Sequence, residues 1–170
     1  MKKIFVTLFL FFLMFSHNKV SFASDKIIID YIDPELSVEL IEDTSIDSPF
    51  KYPSFLEFYG INRPMVSWDL ANSGYMFGVH TDNSTIYSTY YFKNHNGRLN
   101  FKLPETYGPS TKYYTFYLFE QSTKEVVTVL SIQKNYTATF AINNLNTSKN
   151  YHFGIKPNDT TVIVDGRVWR

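Results

Sequence analysis

Apolar and polar residues alternate at every second position along most of this chain, and beyond residue 23 no ten-residue stretch carries a helical stripe. The alternation predicts strands over 26–32 and 36–41, separated by Asp33-Pro34, where Pro34 suits a turn or an edge. Residues 43–64, punctuated by Pro49, Pro53, Gly60 and Pro64, read as a surface loop pinned by Phe50, Tyr52, Phe55, Phe58 and Tyr59; the alternative is a short helix over 53–59. A hairpin is predicted over 65–70 and 75–79 around Asn72-Ser73-Gly74, followed by a strand over 85–92, a turn at 94–97 and a return strand over 98–103. A second hairpin, 113–120 with 126–132, precedes strands over 136–142, 151–155 and 162–169. Seven short strands from Thr85 onward, about 12 residues apart, mark an antiparallel β-sandwich or barrel. Alternation also predicts the core: Leu99, Phe101, Leu103, Tyr114, Phe116, Leu118, Phe140, Ile142, Tyr151, Phe153 and Ile155.

The first 23 residues follow a different rule. Lys2 and Lys3 precede a 12-residue apolar run over 4–15 broken only by Thr7, and Ser21-Phe22-Ala23 places small residues at the positions a signal peptidase reads. This is a secretory signal peptide with cleavage expected after Ala23, since the run falls short of the roughly 20 residues of a membrane span. An uncleaved anchor is the alternative. No later apolar stretch has spanning length, and with no cysteine the domain must be held by packing rather than disulfides. The expected organisation is a signal peptide over 1–23, an acidic N-terminal extension over 24–64 carrying additional strands, and the sandwich over 65–170.

Charge argues against whole classes of partner. Without the three lysines of the signal the chain has 13 basic and 16 acidic residues, which is not the basic footprint of a nucleic-acid or anionic-membrane binder. The acids concentrate in 24–64, nine against three bases. Aromatic residues are the outlier: 25 remain after the signal, 13 of them tyrosine. If Ile86, Tyr90 and Phe92 point inward, Tyr87 and Tyr91 point outward; if Tyr114, Phe116 and Leu118 point inward, Tyr113, Tyr117 and Phe119 face the other way. Rows of rings with polar tips suit sugar faces, peptides or another protein. The competing reading is that the extension, through Ile27, Ile29, Leu36, Val38 and Leu40, covers that face as a third layer or joins the sheets as added strands.

Leu145-Asn-Thr-Ser-Lys-Asn-Tyr151-His-Phe153-Gly-Ile155 resembles the end of a fibronectin type III or immunoglobulin-like domain. The resemblance covers about 85–170 and implies a tyrosine corner, with the Tyr151 hydroxyl bonding to backbone upstream and Leu145 packed beneath. It departs from the family in lacking the early-strand tryptophan, unless Trp68 or Trp169 replaces it. The chain is also similar to small secreted β-sandwich proteins of Gram-positive bacteria with no assigned function. Such folds host many activities, so the resemblance bears on fold more than function.

No catalytic motif emerges. Leu103-Pro104-Glu105-Thr106-Tyr107 is similar to a cell-wall sorting signal, but Tyr107 stands where glycine belongs and no apolar stretch follows; a strand ending in a proline turn explains it better. His80, His95 and His152 have no metal-site spacing, His80 and Asp82 read as a polar turn, and Asp30, Asp33 and Glu35 lack the glycine of a calcium loop. There is no thiol nucleophile and no G-x-S-x-G elbow. Asn83, Asn135, Asn146 and Asn158 head glycosylation-type triplets, which mean little in a bacterial host and in a eukaryotic one would mark exposed turns, where three of the four are expected to lie. The expectation is a secreted, extracellular, non-enzymatic protein without cofactor or metal that binds a cell-surface polymer, glycan or protein through Tyr87, Tyr91, Tyr113, Tyr117 and Phe119. The alternatives are a structural or partner subunit of an extracellular complex and, after that, a small secreted hydrolase.

Overall fold

A computed structural model describes residues 26–41, 50–51, 62–81, 84–104, 112–158 and 162–170. They form thirteen strands and no helix: β1 (Ile27–Ile32), β2 (Ser37–Leu40), β3 (Phe50–Lys51), β4 (Val66–Asp69), β5 (Gly74–Thr81), β6 (Ile86–Tyr87), β7 (Tyr90–Lys93), β8 (Arg98–Leu103), β9 (Tyr113–Glu120), β10 (Val126–Gln133), β11 (Ala138–Asn143), β12 (Tyr151–Pro157) and β13 (Val162–Trp169). The first sheet runs β1-β10-β9-β12-β7-β4, with β6 also on β12; the second runs β2-β11-β8-β13-β5-β3. Their packing gives the expected all-β sandwich.

The core lies where alternation puts it. All eleven predicted core side chains are buried. Phe101 stands edge-on to Phe116 at 4.9 Å and stacks on Phe140 at 5.3 Å, while Phe153 meets Phe77 at 4.5 Å, so rings from both sheets interlock. Burying each such side chain is worth roughly 1.5–3 kcal/mol, and each ring pair adds about 0.5–1.5 kcal/mol.

The N-terminal extension enters as added strands, one on each sheet. β1 pairs antiparallel with β10 and β2 with β11, so the described residues 26–41 of the extension lengthen the sheet edges and do not form a third layer. Ile27 and Val38 are buried, with Ile29, Leu36 and Leu40 packed against the core. Asp33 turns the chain between the two sheets, its carbonyl accepting from the Leu36 N–H and its side chain from the Glu35 N–H. The rings expected to pin 43–61 and the alternative helix over 53–59 lie outside the described residues, apart from the backbone of β3.

Two expected hairpins are corrected. Strands β4 and β5 sit in opposite sheets, β4 parallel to β7 and β5 antiparallel to β13. Likewise β7 belongs to the first sheet and β8 to the second. The physical reason is burial. Trp68 and Leu70 reach the core from one side while Tyr75, Phe77 and Val79 reach it from the other, and Phe92 and Leu99 repeat the arrangement. The turn after β7 needs Asn94, Asn96 and Gly97 at positive φ (58°, 54° and 79°), which asparagine and glycine tolerate best. The strand predicted over 85–92 breaks at Ser88, whose side chain donates to the Tyr90 carbonyl and whose N–H pairs with Phe153. The β9–β10 hairpin forms as predicted.

Between β11 and β12 the chain again changes sheets. The Tyr151 hydroxyl accepts from the Asn146 N–H at 3.2 Å, and Leu145 is buried.

Candidate functional site

On the outer face of the first sheet, register brings four side chains into one row across five strands. Tyr31 lies opposite Val129, Val129 opposite Tyr117, Tyr117 opposite Gly154 and Gly154 opposite Tyr87. With strands about 4.8 Å apart, Tyr31, Tyr117 and Tyr87 stand on alternate strands, roughly 10 Å from one another. Tyr31 is 46% exposed, Ile28 beside it 45%, and Tyr117 and Tyr87 are half-buried. Gly154 matters to this row: a Cβ there would come within 3.2 Å of both the Phe119 and Tyr87 rings, so the bare backbone lets the two close over it.

The five expected site residues do not all meet. Tyr87, Phe119 and Tyr117 are adjacent, with centroids 5.6 Å and 5.8 Å apart along that chain of contacts. Tyr113 faces outward at the far end of β9, paired with Gln133 and roughly 13 Å along the strand from Tyr117. Tyr91 also points outward but lies on β7, opposite Ser67 of β4, and has no ring contact with the other four. Phe119 itself is only 5% exposed. The guanidinium of Arg63 sits 4.5 Å above its ring and 5.5 Å from that of Tyr87, held there by a 2.8 Å bond from Nη1 to the Lys124 carbonyl. Cation–π contact and a fixed anchor make Arg63 a cover over one end of the face.

Sequence reasoning missed three participants. Alternation misplaces Tyr31: with Ile27 and Ile29 inward a two-residue period puts it inward as well, and the bulge between Ile29 and Tyr31 turns it out. Arg63 carries no local signal. His152 alternates outward between Tyr151 and Phe153, yet it is fully buried, stacked 5.0 Å from Phe119 and 5.9 Å from Tyr87. Neither ring nitrogen has a hydrogen-bond partner among the described residues. Burial, with a smaller contribution from the Arg63 charge, pulls its pKa down to about 4, so the imidazole is neutral at neutral pH.

Beyond Arg63 the chain continues as Pro64, whose carbonyl accepts from Gln121 Nε2 at 2.7 Å, and Met65, which is 91% exposed. Met65 borders an open cleft of about 390 Å³ lined by Tyr91, Gln121, Ser122, Ser148, Lys149 and Asn150. Two of these engage the buried Glu120: Ser122 Oγ and Lys149 Nζ both donate to its carboxylate. Burial raises that carboxyl's pKa, but the two hydrogen bonds and the Lys149 charge outweigh it and hold the group below its ordinary value. His80 is exposed, Asp82 lies outside the described residues, and among the described residues no group of three or more histidine, cysteine, aspartate or glutamate side chains is placed to hold a metal ion.

These features define an all-β sandwich with an aromatic outer face and an adjoining polar cleft. Comparison with protein-family models, curated proteins and solved structures finds no match. No described helix is long and apolar enough to cross a membrane.

Proposed function

We infer that this is a secreted, non-catalytic protein that binds an extracellular glycan polymer through the outer face of its first sheet. The observation that carries the reading is the row Tyr31–Val129–Tyr117–Gly154–Tyr87, in which rings recur on alternate strands across the sheet, Tyr31 at the exposed end and Tyr87 at the end covered by Arg63. Rings of this kind bury ligand area at little entropic cost, and their hydroxyls keep hydrogen-bonding capacity for a hydroxylated partner. A repeating chain meets equivalent rings at equal intervals. The excess of acids over bases in residues 24–170, 16 against 13, fits a neutral polymer better than a polyanion.

Co-sedimentation of the purified protein with peptidoglycan and insoluble polysaccharides tests this. Saturable binding is expected, and Tyr31→Ala with Tyr117→Ala should weaken it about tenfold or more while leaving the unfolding midpoint in place. A wild-type protein that stays in the supernatant with every polymer overturns the reading. One observation favours a second: Met65 and Val66, 91% and 59% exposed, lie at and beside the edge strand β4, where a protein partner could add a strand. A pull-down lost on Val66→Lys, with polymer binding absent, would select that alternative.

A further inference from the structure

We propose that the cleft behind Met65 is a second, separate binding site for a short neutral saccharide. The inference rests on the glycan reading above and assigns it a distinct subsite. Three consecutive residues divide the surface: Arg63 covers Phe119 on the aromatic face, Pro64 is tied to Gln121, and Met65 borders the cleft on the other side. Tyr91 lines this cleft, whereas Tyr117 and Phe119 do not.

Gln121 identifies the chemistry. Its Nε2 donates to the Pro64 carbonyl, which fixes the amide, because the flipped amide would set two acceptors against each other. Its Oε1 is then left buried without a hydrogen-bond partner among the described residues. A buried carbonyl oxygen in that condition costs free energy until a donor reaches it. A ligand hydroxyl or N–H that displaced the atoms covering it would satisfy it. Beside it the lining supplies the Asn150 amide, which can give and receive hydrogen bonds, and the hydroxyls of Ser122 and Ser148, which already donate to Glu120 and to Asn146 Oδ1 and keep lone pairs to accept from sugar hydroxyls. Tyr91 adds an aromatic face, and Met65 an adaptable apolar rim.

Charge and shape narrow the class further. Among the described residues of the lining Lys149 is the only charged one, and it is paired with Glu120, so these residues present no unmatched charge to attract an acidic ligand. The polar wall consists of turn residues, 121–122 and 148–150, and offers no strand edge on which a peptide backbone could pair. The volume lies in the small-ligand range of about 300–1,000 Å³ and suits roughly one or two sugar rings.

The test is a titration of the ¹⁵N-labelled protein with cellotriose, chitotriose and mannotriose, followed by NMR. At least one sugar should give saturable shifts centred on Tyr91 and on the side-chain amides of Gln121 and Asn150. Tyr91→Ala should weaken that binding about tenfold, the equivalent of one well-placed contact, and Tyr117→Ala should not change it. Gln121→Leu should abolish it; should loss of the Pro64 bond unfold that variant, Tyr91→Ala and Asn150→Ala still decide the matter. Shifts confined to Tyr31, Tyr117 and Tyr87 would overturn the cleft site while leaving the polymer reading intact. No shifts with any of the three sugars would overturn it as well. Cleft binding in a protein that sediments with no polymer would uphold the cleft and remove the aromatic face from the function.

Discussion

Acid should destabilise this protein chiefly through His152. An unfolded histidine takes up its proton near pH 6.5, whereas the buried ring of His152 does so only near pH 4. The folded-state pKa is the depressed one, so as pH falls the unfolded chain binds the proton first. Stability is therefore complete above about pH 6.5, declines between there and pH 4, and loses nothing further from this group below that window. The gap of some two and a half pH units corresponds to about 3 kcal/mol, a large share of the 5–15 kcal/mol typical of a domain. His95, also lowered by burial, and Glu120, held below its ordinary value, weaken the fold in the same direction on acidification. The measurement must therefore be a difference. Urea unfolding of the wild type and of His152→Phe, followed by aromatic fluorescence from pH 7 to pH 4, isolates it: the variant should lack about 3 kcal/mol of the wild type's acid loss, whatever its stability at neutral pH. If phenylalanine overfills the site, His152→Leu gives the same comparison. Parallel stability–pH curves for wild type and variant would refute the argument, because they would mean that His152 titrates alike in both states.

Two tyrosine-to-phenylalanine changes should act in opposite directions. The Tyr114 hydroxyl is fully buried without a hydrogen-bond partner among the described residues, so Tyr114→Phe should leave stability unchanged or raise it by up to about 1 kcal/mol. The Tyr151 hydroxyl accepts from the Asn146 N–H at the crossing between sheets, so Tyr151→Phe should cost about 1 kcal/mol. Urea midpoints of both variants at pH 7 check the pair, and a shift of the same sign in both would contradict it.

The faces of the strands were legible because a two-residue period is local: Leu99, Phe101 and Leu103 declare their side of a sheet within one short stretch. The choice of sheet was not. The same alternation in 65–79 fits a hairpin and an arch equally well, and only the need of Trp68 and Tyr75 to approach the core from opposite sides decides between them. The same limit applied at the surface. Tyr87, Tyr91, Tyr113, Tyr117 and Phe119 were placed outward by period alone, but Phe119 is covered by Arg63, a residue 56 positions earlier whose approach no local pattern announces. His152 was hidden for the same reason, and the cleft was hidden because its wall comes from two turns that meet only once β9 and β12 have paired.

Strand β13 runs between β8 and β5, in the interior of the second sheet. Until residues 162–169 are available, that sheet exists only as two separate pieces, and β1 must wait for partners about 100 residues away. Such long-range pairing folds slowly and in one cooperative step rather than from one end. A chain built this way cannot join the two halves of its second sheet before β13 has been made.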